Sequence, residues 1–304
     1  MEIDLNDTSH STGTPSAELT IDTVLVRRLL SEQHPDLQDL PINFFDAGWD
    51  NTIFRLGKEL CVRLPRRKAA AKLIENEQTW LPMLAKQLNI PVPAPVRIGK
   101  PTTYYPWGWS ILPWFTGVAA DLKEPEIDQA KHFGSFLRSL HKPAPANAPF
   151  NPVRGVPLIQ RSTFVTTTMY HLEQKNNLID PPIKRIWYRA LETSIDVEAR
   201  WLHGDLHPHN ILVDRGRISA IIDWGDITSG DIATDLASIW MLFSQQNVRQ
   251  RVIKEYGDIS EATLRRTKGW AVFFAVVLID TGLVNAPRQV KMGKKILNNL
   301  TEDF

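Results

Sequence analysis

The spacing of apolar positions changes several times along the chain, and each change marks a different kind of element. From Thr20, the residues Ile21, Val24, Leu25 and Leu29 form a stripe with Arg28 and the charged residues behind it, which predicts an amphipathic helix. Ile42–Asp46, Thr52–Leu56 and Leu60–Leu64 then concentrate β-branched and aromatic residues. Gly48 and Gly57-Lys58 punctuate them, so three short strands are expected. A helical period returns from Ala69 to Leu88 through Leu73, Glu77, Trp80, Leu81, Leu84 and Leu88, with a kink expected at Pro82. Pro91–Pro95 must be extended. Trp109–Phe115 reads as a buried strand that runs into Thr116-Gly117.

The second part of the chain is mainly helical. Phe133, Phe136, Leu137 and Leu140 share one face of Asp128–Leu140, which Pro143 stops. A polar segment, Pro143–Arg161, separates this helix from the next ones. Ile211–Val213 and Ile218–Ile222 flank Arg215-Gly216, a hairpin signal. Leu236, Ile239, Trp240 and Phe243 give the buried face of a helix from Thr234. Trp270–Val284 is strongly apolar, but it is short for a bilayer span and holds Asp280, so a buried helix is expected. There is no internal repeat. A small sheet-rich part, a short linker and a larger helical part with an embedded hairpin make an α+β, two-lobed, kinase-like layout. The expected divisions are a disordered polar tail over 1–18, an N-lobe over 19–115 and a C-lobe over 116–304.

Composition narrows the functional classes. Lys+Arg number 35 and Asp+Glu 34, so the net charge of +1 gives no case for a nucleic-acid or membrane-surface partner. Cys61 is the single cysteine and cannot form an internal disulfide. It reads as a small buried hydrophobe in a protein of the reducing cytoplasm. The acidic, polar N-terminus lacks the apolar core of a signal peptide. The ten tryptophans suggest a large aromatic core.

The informative segment is His203-Gly204-Asp205-Leu206-His207-Pro208-His209-Asn210, followed by Asp223-Trp224-Gly225-Asp226. Phosphoryl transfer asks a protein for a carboxylate that orients the acceptor hydroxyl and takes its proton, and for ligands that hold Mg2+ on the phosphates. Asp205 and Asn210 lie five residues apart at the mouth of the hairpin, as the base and metal-binding Asn of protein kinases do. The far strand of the hairpin ends at Asp223. Chain reversal would return Asp223 beside Asn210, so that an amide and a carboxylate share a metal while Asp205 faces the acceptor.

HGDLHPHN, then IIDWGD, then Gly230-Asp231-Ile-Ala-Thr-Asp235 resembles the aminoglycoside phosphotransferase family, which is also similar to choline, homoserine and macrolide kinases. The likeness extends to Gly48-Trp49-Asp50-Asn51, Val62-Arg63-Leu64-Pro65 and Glu77, over roughly residues 40 to 285. It implies Asp205 as catalytic base, Asn210 and Asp223 as Mg2+ ligands, Arg63 on the phosphates with Glu77 as its partner, and Gly48–Asn51 as a turn over the phosphates. Many relatives carry Lys where Arg63 stands; Arg keeps the charge but presents a flat fork. Ile111–Trp114 resembles the hinge that hydrogen-bonds the nucleobase. ATP or GTP is the implied donor, and a small-molecule hydroxyl the acceptor, in antibiotic resistance or in metabolism. The short run from Asp223 to Asp231 leaves little room for an activation loop.

Two other readings stay open on the sequence. One is a catalytically silent nucleotide-binding protein of the same fold, against which the intact Asp205, Asn210 and Asp223 argue. The other is a metallohydrolase using His203, His207 and His209, against which Pro208 and the lack of a completing His-rich segment argue. Asp231 and Asp235 are expected to hold loops and cap the following helix, and Arg66-Arg67-Lys68 to be a solvated charge run. A polycationic acceptor calls for an acidic pocket. The C-lobe sequence, with acidic and basic residues near balance, does not point to one.

Overall fold

The computed structural model describes residues 16–176 and 178–303. Asp22 starts the first helix, α1 (Thr23–Gln33), by accepting a hydrogen bond from the Leu25 amide at 2.8 Å. Packed against the sheet, the helix buries Val26, Leu29 and Leu30, while Val24 is 73% exposed. Of the expected stripe, Leu29 is buried and Ile21 and Leu25 pack half-buried against the same core, while Val24 points outward and Val26 and Leu30 take its place. Of the expected disordered tail, residues 1–15 lie outside the described residues. Glu18 is tied down: its amide bonds to Arg66 O at 2.9 Å, and its carboxylate accepts from the Lys68 amide.

Strands β1 (Ile42–Ala47), β2 (Asn51–Leu56) and β3 (Leu60–Pro65) fall where the sequence placed them. Helix α2 (Lys68–Leu84) follows, then β4 (Arg97–Gly99) and β5 (Trp109–Pro113). The sheet is antiparallel in the order β1-β2-β3-β5-β4. β2 alternates, burying Thr52, Phe54 and Leu56, and the inner strand β3 is apolar almost throughout. Burial pushes the Cys61 thiol up to about 11, in keeping with a packing role. Pro82 lies in the last turn of α2, where its missing N–H leaves the helix a single piece, with Ala85 N closing on Leu81 O. The expected two-piece helix is thus one.

Short β6 (Val118–Ala119) leads to the C-lobe helices α3 (Gln129–Leu140), α4 (Ser162–Asn176) and α5 (Pro181–Leu191). β7 (Arg200–Leu202) precedes the hairpin of β8 (Ile211–Asp214) and β9 (Arg217–Ile221). Arg215 and Gly216 both have positive φ, 49° and 81°, which is the tight hairpin turn the pair predicts. β10 (Thr228–Gly230), α6 (Ala233–Leu236), α7 (Ser238–Leu242), α8 (Gln246–Tyr256), α9 (Glu261–Asn285) and α10 (Pro287–Glu302) complete the chain.

α9 has 25 residues, enough length and apolar character for a bilayer span, so the expectation that it is too short is corrected. It is buried by packing instead: 67% of its most apolar window lies inside the protein, against α5, α6 and α10. The α1 face and the sheet form one core; the C-lobe forms another, which the last turn of α2 joins through Leu81 and Leu84. Trp187, Trp224, Trp240 and Trp270 are fully buried in the second core and Trp109 in the first.

Candidate active site

β7 pairs with β10, with Thr228 opposite Leu202, and this brings the Asp226 turn against the loop that starts at His203. The approach is so close that position 204 must be glycine. Gly204 has φ +86°, and a Cβ there would lie 2.5 Å from the Asp226 carbonyl oxygen. Asp235, fully buried, accepts from the His203 amide at 2.7 Å and the Gly204 amide at 3.0 Å. The expected helix cap is therefore wrong for Asp235, which reaches back to fix the loop. Asp231 does bond to the Ala233 amide, and it also pairs with the buried guanidinium of Arg266 on α9, at 2.7 Å.

The His203 ring joins the two halves of the motif. Its Nδ1 accepts from the Asp205 amide at 3.2 Å, which places the ring proton on Nε2, and Nε2 donates to the Ile222 carbonyl at 3.0 Å. Burial lowers the pKa of this neutral ring despite Asp235 nearby. Asn210 Nδ2 donates to the Asp205 carbonyl at 3.0 Å, which turns its amide oxygen away from that bond. The Ile222 amide donates to the Asn210 carbonyl at 2.9 Å. Asp205, Asn210 and Asp223 thus stand on one hydrogen-bonded frame. Asp223 has φ +59°, a left-handed conformation that costs a non-glycine residue about 1–2 kcal/mol. Strain of that kind gathers at functional sites.

Each carboxylate oxygen of Asp205 faces a basic side chain. Arg154 Nη2 donates to Oδ1 at 3.0 Å, and His207 Nε2 lies 3.3 Å from Oδ2. Burial works to raise the Asp205 pKa, but His207 and then Arg154 outweigh it and hold the carboxyl below its ordinary range. Asp226 is the opposite case: burial and then the charge of Asp205 push it up to about 6, while Asn151 donates to it at 2.7 Å. Arg154 was not singled out by the sequence. It lies 51 positions before Asp205 in a polar stretch with no periodicity.

On the sheet side, Arg63 Nη2 meets Glu77 Oε2 at 2.7 Å, and Arg63 Nη1 lies 3.7 Å from Asp223 Oδ1. Arg63 and Glu77 are buried, whereas the Asp223 side chain is 56% exposed. Burial pushes Glu77 up to about 7 against the pull of Arg63. The Gly48–Asn51 turn closes with the Gly48 amide on the Asn51 carbonyl at 3.0 Å. Arg66 and Arg67 are not a free charge run. Arg66 donates to the Gly48 carbonyl and Arg67 to the Asp50 carboxylate, which latches this turn to the end of β3. In the expected hinge, Ile111 O already accepts from the Val96 amide and the Trp114 amide donates to Glu59 O, so fewer backbone groups stand free than the resemblance implies.

For a hard cation, Asn210 and Asp223 offer an amide oxygen and a carboxylate, a donor set that fits Mg2+ completed by phosphate oxygens. The three-histidine zinc reading does not fit. Both ring nitrogens of His203 are committed to the protein, and no group of three or more His, Cys, Asp or Glu residues poised around a metal occurs among the described residues.

The family model described as "Phosphotransferase enzyme family" matches residues 41–270. The chain belongs to this family. An aminoglycoside 3'-phosphotransferase of Salmonella typhimurium is 27% identical over 137 residues, 40% of this chain and 46% of that relative, so the chain spans about half the length of this curated relative. The GDP complex of aminoglycoside 2'-phosphotransferase-IIIa superposes with a TM-score of 0.66 at 16% identity, covering 93% of this chain and 100% of that one. A macrolide 2'-phosphotransferase of Brachybacterium faecium gives 0.58 at 18% identity, covering 90% and 97%. At these identities the two structures establish the shared fold, a small antiparallel-sheet lobe on a larger helical one.

Proposed function

We propose that this phosphotransferase is a small-molecule kinase that moves the γ-phosphoryl group of ATP or GTP to a hydroxyl, with Asp205 as base and Asn210 and Asp223 holding Mg2+. The observation that carries the reading is the shared frame: one ring, His203, bonds both the Asp205 amide and the carbonyl of the residue before Asp223. Arg63, kept in place by Glu77 and close to Asp223, has the charge and the fork to grip the phosphates. When bound, Mg2+ neutralises charge on the triphosphate.

Asp205 stays ionised and orients the acceptor hydroxyl toward the γ-phosphorus. With its pKa held low, it takes the proton late, as the new O–P bond forms. The bond to the β-phosphate oxygen breaks, and its electron pair leaves with the nucleoside diphosphate. The chain passes from Asp226 straight into β10, which supports an enzyme without a regulatory activation loop. The printed names of its relatives, aminoglycoside and macrolide phosphotransferases, supply the first acceptors to try. The test is a screen of hydroxyl compounds with Mg-ATP and Mg-GTP, reading diphosphate release. The reading expects acceptor-dependent release with at least one compound; release with none would count against it.

A further inference from the structure

The polar segment before α4 carries two guanidinium groups, Arg154 and Arg161, and the first of them reaches Asp205. The Arg154 side chain is 16% exposed and lies over the rings of Phe273 and Phe274 of α9, 5.2 and 4.8 Å from their centroids. One of its nitrogens bonds to Asp205 Oδ1 at 3.0 Å, and its Nε is buried without a partner. Arg161, in the turn leading into α4, likewise has a buried Nε without a partner. The turn that carries Arg161 packs on α9, with Leu158 against Gly269, one helical turn before the Phe273 that Arg154 covers, so the two guanidinium groups share one end of that helix. The other charged groups around Arg154 are His207 and Asp205, already paired, and Asp226, which accepts from Asn151. Asp223 faces Arg63 on the nucleotide side.

Adjacent cations with unpaired buried N–H groups are costly in a folded protein unless an anion arrives to share them. Guanidinium groups also stay charged at any working pH, so a polycation approaching Asp205 would meet repulsion that cannot be titrated away. We propose that Arg154 and Arg161 form an anion-binding half of the acceptor site, so that the acceptor is a hydroxyl compound carrying a carboxylate or phosphate group. The inference rests on Asp205 being the base. It also gives the base a trigger: the acceptor's anion draws Arg154 off Oδ1, and the freed oxygen receives the hydroxyl. A flat guanidinium on an aromatic platform suits such a hand-over, since it keeps its stacking while its N–H bonds change partner.

The test measures diphosphate release with three panels: hydroxy acids and sugar phosphates, their methyl esters and unphosphorylated parents, and aminoglycosides. The expected result is at least one anionic compound with kcat/KM about 100-fold above its neutral counterpart and above every aminoglycoside. Comparing hydroxy acids with sugar phosphates identifies the anion. Arg161→Gln is expected to shrink the anionic-over-neutral ratio about 10-fold, chiefly through KM, and Arg161→Lys to restore part of it. A folding defect scales both rates and leaves that ratio unmoved. A neutral compound or an aminoglycoside used best, or a ratio unchanged in Arg161→Gln, overturns the anion site and leaves the kinase reading standing. Release with no member of any panel overturns both.

Discussion

Asp235 is the buried anchor of the loop that carries Asp205, the proposed base. Its two oxygens take the amides of His203 and Gly204, at 2.7 and 3.0 Å, in a fully buried setting. Asp235→Asn keeps the shape and alters only the chemistry. The amide oxygen can keep one of the two bonds, but the NH2 then faces the other amide, donor against donor. One charge-assisted bond of about 1.5–3 kcal/mol is lost, and a buried N–H is stranded at about 1–3 kcal/mol. The sum, about 2.5–6 kcal/mol, is a large part of a typical stability of about 5–15 kcal/mol. At about 2–4 °C per kcal/mol for a large domain, the melting temperature should fall by roughly 5–24 °C. Because the Gly204 amide immediately precedes Asp205, acceptor-dependent turnover at 20 °C should also drop at least about 10-fold, more than nucleotide affinity does. Scanning fluorimetry and steady-state turnover on the same preparation check both. A variant that melts within about 1 °C of the parent and turns over normally would refute this account of the loop.

Two further perturbations follow from the same structure. Glu77→Gln removes the carboxylate at 2.7 Å from Arg63 and leaves that guanidinium with Asp223 alone, so Mg-nucleotide affinity by calorimetry should weaken roughly 10- to 100-fold; an unchanged Kd would contradict it. Asp196 is held at about 2, below the usual carboxylate value: burial works to raise it, but hydrogen bonds from Ser260, Arg266 and Thr263 prevail. A depressed folded pKa gives stability that is complete above about pH 4 and lost as pH falls toward 2. The melting-temperature gap between the parent and Asp196→Asn should accordingly be constant above pH 5 and close below pH 4; a gap independent of pH would exclude this linkage.

Much of the frame was legible because its signals are local. The hairpin at Arg215-Gly216 and the three strands after Pro41 depend on neighbours a few residues apart, and Asp205, Asn210 and Asp223 are linked through that single short hairpin. What escaped depends on tertiary placement. The phase of α1 is set by where the helix meets the sheet, which exposes Val24 and buries Val26. An Asp ahead of an apolar helix is usually a cap, but Asp235 lies inside α6, which aims it at His203 instead. Arg66 and Arg67 form a plain charge run in one dimension and latch a turn in three. Arg154 had no signal at all, since its meaning lies in Asp205 and Phe274, far along the chain.

The role of Asp205 is tested most directly by Asp205→Ala, measured with Mg-nucleotide calorimetry and acceptor-dependent diphosphate release side by side. The account predicts that nucleotide affinity stays within about threefold of the parent while release falls by at least about 1,000-fold, since the side chain lost is the one that orients the acceptor. Release at the parental rate from that variant would contradict it.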